Sequence, residues 1–305
     1  MITLKAPAKI NLCLRVLGRR DDGYHEIESV MQMVGLYDEV TVSSRRSGIA
    51  IRVVGADLPE GPGNLVYDAA VLLAEEAGAA RGATVRVDKR IPVGAGLGGG
   101  SSDAAVTLIA LNRLWGLRWS RSRLSQLGAR LGSDVPFFFG GPRAWVSGRG
   151  ECVVPRPVDG SYPWALLVHP GFAVSTRWAF EALDAPLLAL QSDRQWAREA
   201  SFSTAGHELT KKNATDTIPG LPTGQSPVDR PMDNALESVT ARSYPVIRDI
   251  KAWLHDAGAE QALMSGSGAT VFGLFVARKE AKAAHARLPK AWRGWVVPFL
   301  RRVPW

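Results

Sequence analysis

Apolar residues crowd positions 8–17, alternate with polar ones at 39–43 and turn β-branched at 49–54, a pattern that predicts three strands. Between 64 and 76, Leu65, Ala69, Leu72 and Leu73 recur at helical spacing, and alternation returns at 84–91. After a glycine-rich stretch, Ala105, Leu108, Ile109, Asn112 and Trp115 share one face of a second helix. Ser101, Ser102 and Asp103 suit its cap and first turn, and Gly116 ends it. A third helix is predicted over 121–131, and after 137–139 the text turns strand-like through 154 before Pro155 and Pro157 mark a linker.

The second half repeats the mixture. A strand at 165–169 precedes a helix near 176–183, and the segment 205–231 is polar, with four prolines and three glycines, and reads as a long mobile loop. Helices follow at 234–241 and 246–257, then a strand, loop and strand over 262–276, a helix near 280–288 and a closing strand. Strands and helices in this order make an α+β chain of two domains, 1–156 and 157–305.

The segment PVGAGLGGGSSDAA, starting at Pro92, separates a strand from a helix. Glycine permits positive φ and close approach, so successive backbone N–H groups can converge on one anion, and the helix dipole adds positive charge. That order of elements is what a phosphate site at a helix N-terminus needs. Other phosphate loops fit less well. A dinucleotide fold wants a carboxylate about 20 residues on, where this chain has the basic run RWSRSR. A Walker A loop ends in Gly-Lys-Ser/Thr, and protein kinases carry HRD and DFG strings; neither set is present.

Composition narrows the classes. Among 305 residues, 46% are hydrophobic and 22% charged, which excludes a disordered chain. The formal net charge of +8 suits anionic ligands such as nucleotides, and would also suit nucleic acid. Basic residues are dispersed in short pairs, and aromatics approach clustered arginines only in the tail KAWRGWVVPFLRRVPW, which a closing strand with basic ends explains equally. Cys13 and Cys152 have apolar neighbours and read as buried, inert thiols. Lys5 and Lys9 interrupt the N-terminal run as a signal peptide would not, and no stretch approaches the ~18 apolar residues of a spanning helix, so a cytoplasmic enzyme is expected.

Three strings in order, APAKINL at 6–12, PVGAGLGGGSSDAA at 92–105 and MSGSGATVF at 264–272, resemble the signature motifs of the GHMP kinases. DDGYHEI at 21–27 and LGSDVPFF at 131–138 narrow the resemblance to the 4-diphosphocytidyl-2-C-methyl-D-erythritol kinases of the non-mevalonate isoprenoid pathway. The likeness is dense from 6 to about 150 and thinner beyond. It implies a two-domain fold, the first domain resembling a ribosomal-protein fold, with the site in the cleft between the two. It also implies ATP-dependent phosphorylation of the substrate's tertiary 2-hydroxyl, with Mg²⁺ accompanying ATP.

Roles follow from the resemblance, residue by residue. Read alone, Asp134 fits a helix cap as well as a base; the family pattern makes it the general base, with Lys9 keeping it ionised and orienting the hydroxyl. Pro92, Val93, Gly94, Ala95, Gly96, Leu97, Gly98, Gly99, Gly100, Ser101 and Ser102 would bind ATP, and Asn64 would pair with the adenine edge. Asn11, Tyr24 and His25 fall where the family holds erythritol and cytidine, with Tyr24 and Phe180 stacking on cytosine, His25 bonding its edge and Thr176 alongside. The 265–268 loop would shape the site near phosphates or substrate. No protein metal ligand stands out, Asp103 reading more simply as a capping residue. The expected partner is a small molecule, neither nucleic acid nor membrane, and the sequence does not bear on oligomeric state. Rival readings are a homoserine- or mevalonate-type GHMP kinase and a non-catalytic nucleic-acid-binding protein.

Overall fold

The computed structural model describes residues 1–78, 81–158, 162–192 and 232–305. The polar segment 205–231 lies outside the described residues.

Two long strands, β1 (Ile2–Arg19) and β2 (His25–Arg45), form an antiparallel pair that runs the length of the first sheet. On the other edge of β2, β4 (Gly82–Asp88) pairs with its C-terminal end and β5 (Arg143–Gly148) with its N-terminal end. β3 (Ile49–Val54) adds to β4 in parallel, and β6 (Cys152–Pro155) closes the far edge beside β5. Both long strands exceed their apolar runs because buried polar side chains, Lys9, Asn11, Ser29, Gln32 and Asp38, break the alternation without ending the strands.

One face of this sheet carries α1 (Leu65–Glu76), α2 (Gly99–Leu114), α3 (Arg121–Ala129) and the short α4 (Phe137–Gly140). Val40, Val42, Val85 and Val87 from the strands meet Val66, Leu73, Leu108 and Leu111 from the helices. Each fully buried side chain of this kind contributes roughly 1.5–3 kcal/mol. The triple phenylalanine is the body of α4, with all three rings buried, and the strand-like text after it forms β5 and β6.

The second sheet has the order β10-β7-β9-β8, from β7 (Trp164–His169), β8 (Gln261–Met264), β9 (Val271–Phe275) and β10 (Arg293–Pro298). Helices α5 (Thr176–Ser192), α6 (Glu237–Ser243), α7 (Val246–Asp256) and α8 (Arg278–Ala286) accompany it. Leu166, Val168, Met264, Val271 and Phe275 pack there against Val174, Ala179, Ile247, Ile250, Leu254 and Ala281. Another cluster joins the sheets: Ala8, Ile10, Val34 and Leu36 of the first meet Leu167, Leu263, Phe272 and Leu274 of the second. β1 is therefore buried on both sides at 6–11, the polar Lys9 and Asn11 included.

Two sequence expectations change here, and the closing strand expected in the tail is present. Cys13 is buried, but Cys152 is exposed on the edge strand β6, where no further strand covers it. Helix α2 begins at Gly99 with Gly98 as N-cap, so Ser101, Ser102 and Asp103 lie inside the helix rather than capping it. The tail is a structural closure: β10 pairs with β7, Trp292 meets Trp253 edge-on at 5.9 Å, and Trp295 packs into the cluster between the sheets.

Candidate active site

A cavity of about 900 Å³ opens where the two sheets and their loops meet. Its floor comes from β1 and its phosphate-like wall from the 92–101 loop. The first turn of α5 and the β8–β9 loop (265–270) supply the far side.

The loop owes its shape to alternate glycines. Gly94, Gly96 and Gly98 have φ of 62°, 75° and 66°, a region where side chains are strained. Gly96 also leaves no room, since a Cβ there would overlap the carbonyl oxygen of Ser265. The loop is pinned along its length. Gly94 O accepts from Val174 N at 3.0 Å, Ala95 O from Thr270 N at 3.3 Å and Leu97 O from Lys9 N at 2.9 Å. Ser265 Oγ donates to Gly96 O at 2.9 Å and accepts from Asn11 N at 3.3 Å. The SGSG loop therefore braces the glycine loop from behind, while Gly98, Gly99, Gly100 and Ser101, at the start of α2, line the cavity, and the first N–H groups of a helix have no intrahelical partner. Such a cradle fits a polyphosphate.

Lys9 and Asp134 come together at the floor. Lys9 Nζ lies 3.4 Å from Asp134 Oδ2, with the lysine side chain 5% exposed and the aspartate 31%. The same ammonium donates to Asn11 Oδ1 at 2.6 Å. Asn11 Nδ2 passes the chain to Ser29 Oγ at 2.8 Å, and that hydroxyl donates to Cys13 O. Lys9 is thus fixed by a buried polar relay, whereas Asp134, in the turn before α4, opens toward the cavity. Asp134 is no cap, since the N-cap of α4 is Pro136. A fixed cation beside a half-open carboxylate can hold a hydroxyl and take its proton.

Pro92, Val93 and the residues of the loop through Ser101 line the cavity as expected. Ser102 does not: it is fully buried and its Oγ points into the core without a hydrogen-bond partner. One residue of helical rotation separates it from Ser101. Asn64 lines the wall, yet its amide is engaged as the N-cap of α1, with Oδ1 accepting from Val66 N at 3.0 Å and Nδ2 donating to Pro59 O at 2.7 Å. It shapes the wall while capping α1, and these bonds use one of its two N–H donors and one of its two acceptor positions.

At the other end lie Tyr24, His25, Thr176 and Phe180. His25 stacks on Phe180 at 4.7 Å and 22°, so one face of the phenylalanine ring is covered by the imidazole. Tyr24 is 51% exposed, with the Arg149 guanidinium 4.8 Å from its ring centre. Thr176 Oγ1 and Ser267 Oγ are 3.1 Å apart, joining α5 to the SGSG loop.

Several lining residues escaped the sequence reading. Lys89 bridges Asp38 and Asp103 directly beneath the glycine loop, the second contact at 2.7 Å. Burial pushes the Asp103 carboxyl up to about 7, with Lys89 opposing the rise and Asp38 adding to it. Desolvation pulls the Lys89 ammonium down, but the two carboxylates outweigh it and the net shift is upward. The DKR triplet ahead of the loop was the available signal. Asp184, one helical turn after Phe180, bonds His25, and its spacing of four was the only hint. Among the described residues no three His, Cys, Asp or Glu side chains gather as a metal-binding group.

Comparison with known proteins agrees with this geometry. The N-terminal domain model of the GHMP kinases matches residues 64–141 and the C-terminal model residues 225–294. A 4-diphosphocytidyl-2-C-methyl-D-erythritol kinase of Syntrophotalea carbinolica is 42% identical, over 97% of this chain and 98% of its own. The chain belongs to that family. A second member, from Heliobacterium modesticaldum, is 43% identical over 95% of this chain and 91% of its own. A solved 4-(cytidine 5'-diphospho)-2C-methyl-D-erythritol kinase superposes with a TM-score of 0.71 at 32% identity, covering 97% of this chain and 98% of its own. A homoserine kinase from Cytophaga hutchinsonii reaches 0.72 at 22% identity, covering 100% and 96%, which shows that this kinase family shares its fold with others. The α+β GHMP architecture inferred from the motifs is the one observed.

Proposed function

We propose that this protein transfers the γ-phosphoryl group of ATP to the tertiary 2-hydroxyl of 4-diphosphocytidyl-2-C-methyl-D-erythritol, giving the 2-phosphate and ADP. The observation that carries the reading is the Lys9–Asp134 pair, 3.4 Å apart, at the floor of a cavity walled by a pinned glycine loop. The names of its relatives supply the substrate.

In this reading Asp134 accepts the hydroxyl proton as the oxygen attacks the γ-phosphorus, and the bond from that phosphorus to the bridging β-oxygen breaks. Lys9 orients the hydroxyl and offsets the carboxylate charge; Asn11 and Ser29 hold the lysine in place. Backbone N–H groups of 94–101 and the α2 N-terminus bind the phosphates. Mg²⁺ enters with the nucleotide and supplies charge neutralisation when bound. Tyr24, His25, Thr176 and Phe180 form the end that takes the cytidyl group. The division at 156/157 makes the cleft an interdomain one. The whole is a cytoplasmic small-molecule kinase of the methylerythritol phosphate pathway.

ADP release coupled to NADH oxidation, with Mg·ATP and the cytidyl substrate, tests this. Substrate-dependent turnover is expected, falling about 10²–10⁴-fold in Asp134→Asn. Turnover of homoserine or mevalonate instead would overturn the substrate, and an undiminished variant would overturn the base.

A further inference from the structure

His25 is held on two sides by one helix. Phe180 and Asp184 are four residues apart on α5 and therefore share a face. The phenylalanine ring covers one face of the imidazole, and Asp184 Oδ1 lies 2.9 Å from Nε2. Both partners of that bond are nearly sealed, with side chains 10% and 14% exposed. Arg19 Nη1 stands 3.8 Å from the other carboxylate oxygen. The far ring nitrogen, Nδ1, has no hydrogen-bond partner among the described residues, and the histidine lines the cavity.

An ionised carboxylate only accepts, so Nε2 carries the hydrogen in this bond, and in a neutral ring Nδ1 is then an acceptor. We infer that Asp184 is a positioning residue: it fixes His25 as the Nε2–H tautomer, so that Nδ1 meets the nucleobase as an acceptor and selects a pyrimidine bearing an exocyclic amine over its keto counterpart. The inference rests on the cytidyl substrate proposed above. Cytosine presents N4–H where uracil presents a carbonyl oxygen, and an acceptor aimed at that point bonds the first and meets the lone pairs of the second. Discrimination arises because the mismatched base leaves two polar groups unpaired in a site with little water.

The carboxylate is what sets the polarity. In Asp184→Asn the amide can offer an N–H to Nε2, which moves the ring proton to Nδ1 and turns the reading group into a donor. Asp184→Glu keeps an acceptor and so should keep the tautomer.

Two measurements on the full chain test the inference. Ring ¹⁵N NMR of the histidine-labelled protein reads the tautomer of His25, and calorimetry with CDP and UDP reads the base preference. The expected results are an Nε2–H ring and tighter CDP binding in the wild type. In Asp184→Asn an Nδ1–H ring and a CDP-to-UDP affinity ratio at least about tenfold lower are expected, with the ratio restored in Asp184→Glu. A purely structural anchor would weaken both nucleotides alike; an unchanged ratio in Asp184→Asn therefore overturns the inference, as does an Nδ1–H or imidazolium ring in the wild type. An Nε2–H ring in a protein that binds neither nucleotide would instead overturn the cytidyl reading, and the base selection with it.

Discussion

Asp134 and Asp103 both border the cavity, and their surroundings give them different chemistry. Asp134 opens to the cavity beside Lys9. Asp103 is sealed beside Lys89 and Asp38, and loss of hydration lifts its carboxyl to about 7. Because that value lies above the ordinary carboxylate range, the folded protein holds a proton there that the unfolded chain releases. The resulting stability is complete below about pH 4 and is lost as pH rises through about 7. Asp103→Asn keeps the shape and removes the titration. The variant's melting temperature relative to the wild type should climb between about pH 4 and 7 and level off above; parallel curves would show that Asp103 stays ionised. Lys9 and Asp134 were legible in sequence because short, residue-dense strings carry them. Ser102 was misread because a string does not say which way a side chain points. The one-residue rotation of Ser102 into the core, and the capping bonds that hold Asn64, are decided by the starts of α2 and α1. Lys89 and Asp184 act through partners 51 and 159 positions away, which local pattern does not reveal.

At the scale of elements, the phosphate loop depends on which glycines turn and which merely pack. Gly96 has φ of 75° and its Cβ would overlap Ser265 O, so Gly96→Ala combines backbone strain with a collision against a backbone atom. Gly100 lies in the first turn of α2, where the nearest atom to a Cβ would be Leu65 Cδ1 at 3.7 Å. Urea unfolding should show Gly96→Ala destabilised by about 2 kcal/mol or more. Gly100→Ala should be neutral or gain up to about 1 kcal/mol. Equal losses at both would mean the loop tolerates no side chain for reasons other than conformation. The glycines and the strand–loop–helix order were legible because composition alone announces them. The reach of β1 and β2 was not. Their buried polar residues find partners in the glycine loop, the SGSG loop and the C-terminal tail, and a local hydrophobic pattern reads such positions as breaks.

Across the whole molecule, the two halves are tied by more than the apolar cluster between the sheets. The chain returns to the first sheet after β10: Phe299 bridges to Val34 and Leu300 N donates to Met33 O at 3.0 Å, while Leu300, Val303 and Trp305 pack on the first core. Residues 299–305 therefore serve the N-terminal half although they follow the last strand of the second sheet. Gln32 is the knot of this return. Fully buried, it donates through Nε2 to Met33 O, Pro142 O and Leu300 O at 2.8–3.1 Å and accepts from Arg143 Nε at 2.8 Å. Replacing it by leucine keeps the volume. Met33 O and Pro142 O retain backbone donors in Leu300 N and Met33 N, but Leu300 O loses this donor and the buried Arg143 guanidinium loses a partner. At about 1–3 kcal/mol for each buried group left short of a partner, Gln32→Leu should lose about 2 kcal/mol or more in urea unfolding. Gln32→Glu should recover little, because a carboxylate still accepts from Arg143 yet offers no N–H to the three carbonyls. A loss near zero in Gln32→Leu would mean that water reaches those carbonyls, and that the apolar cluster alone carries the joint between the two sheets.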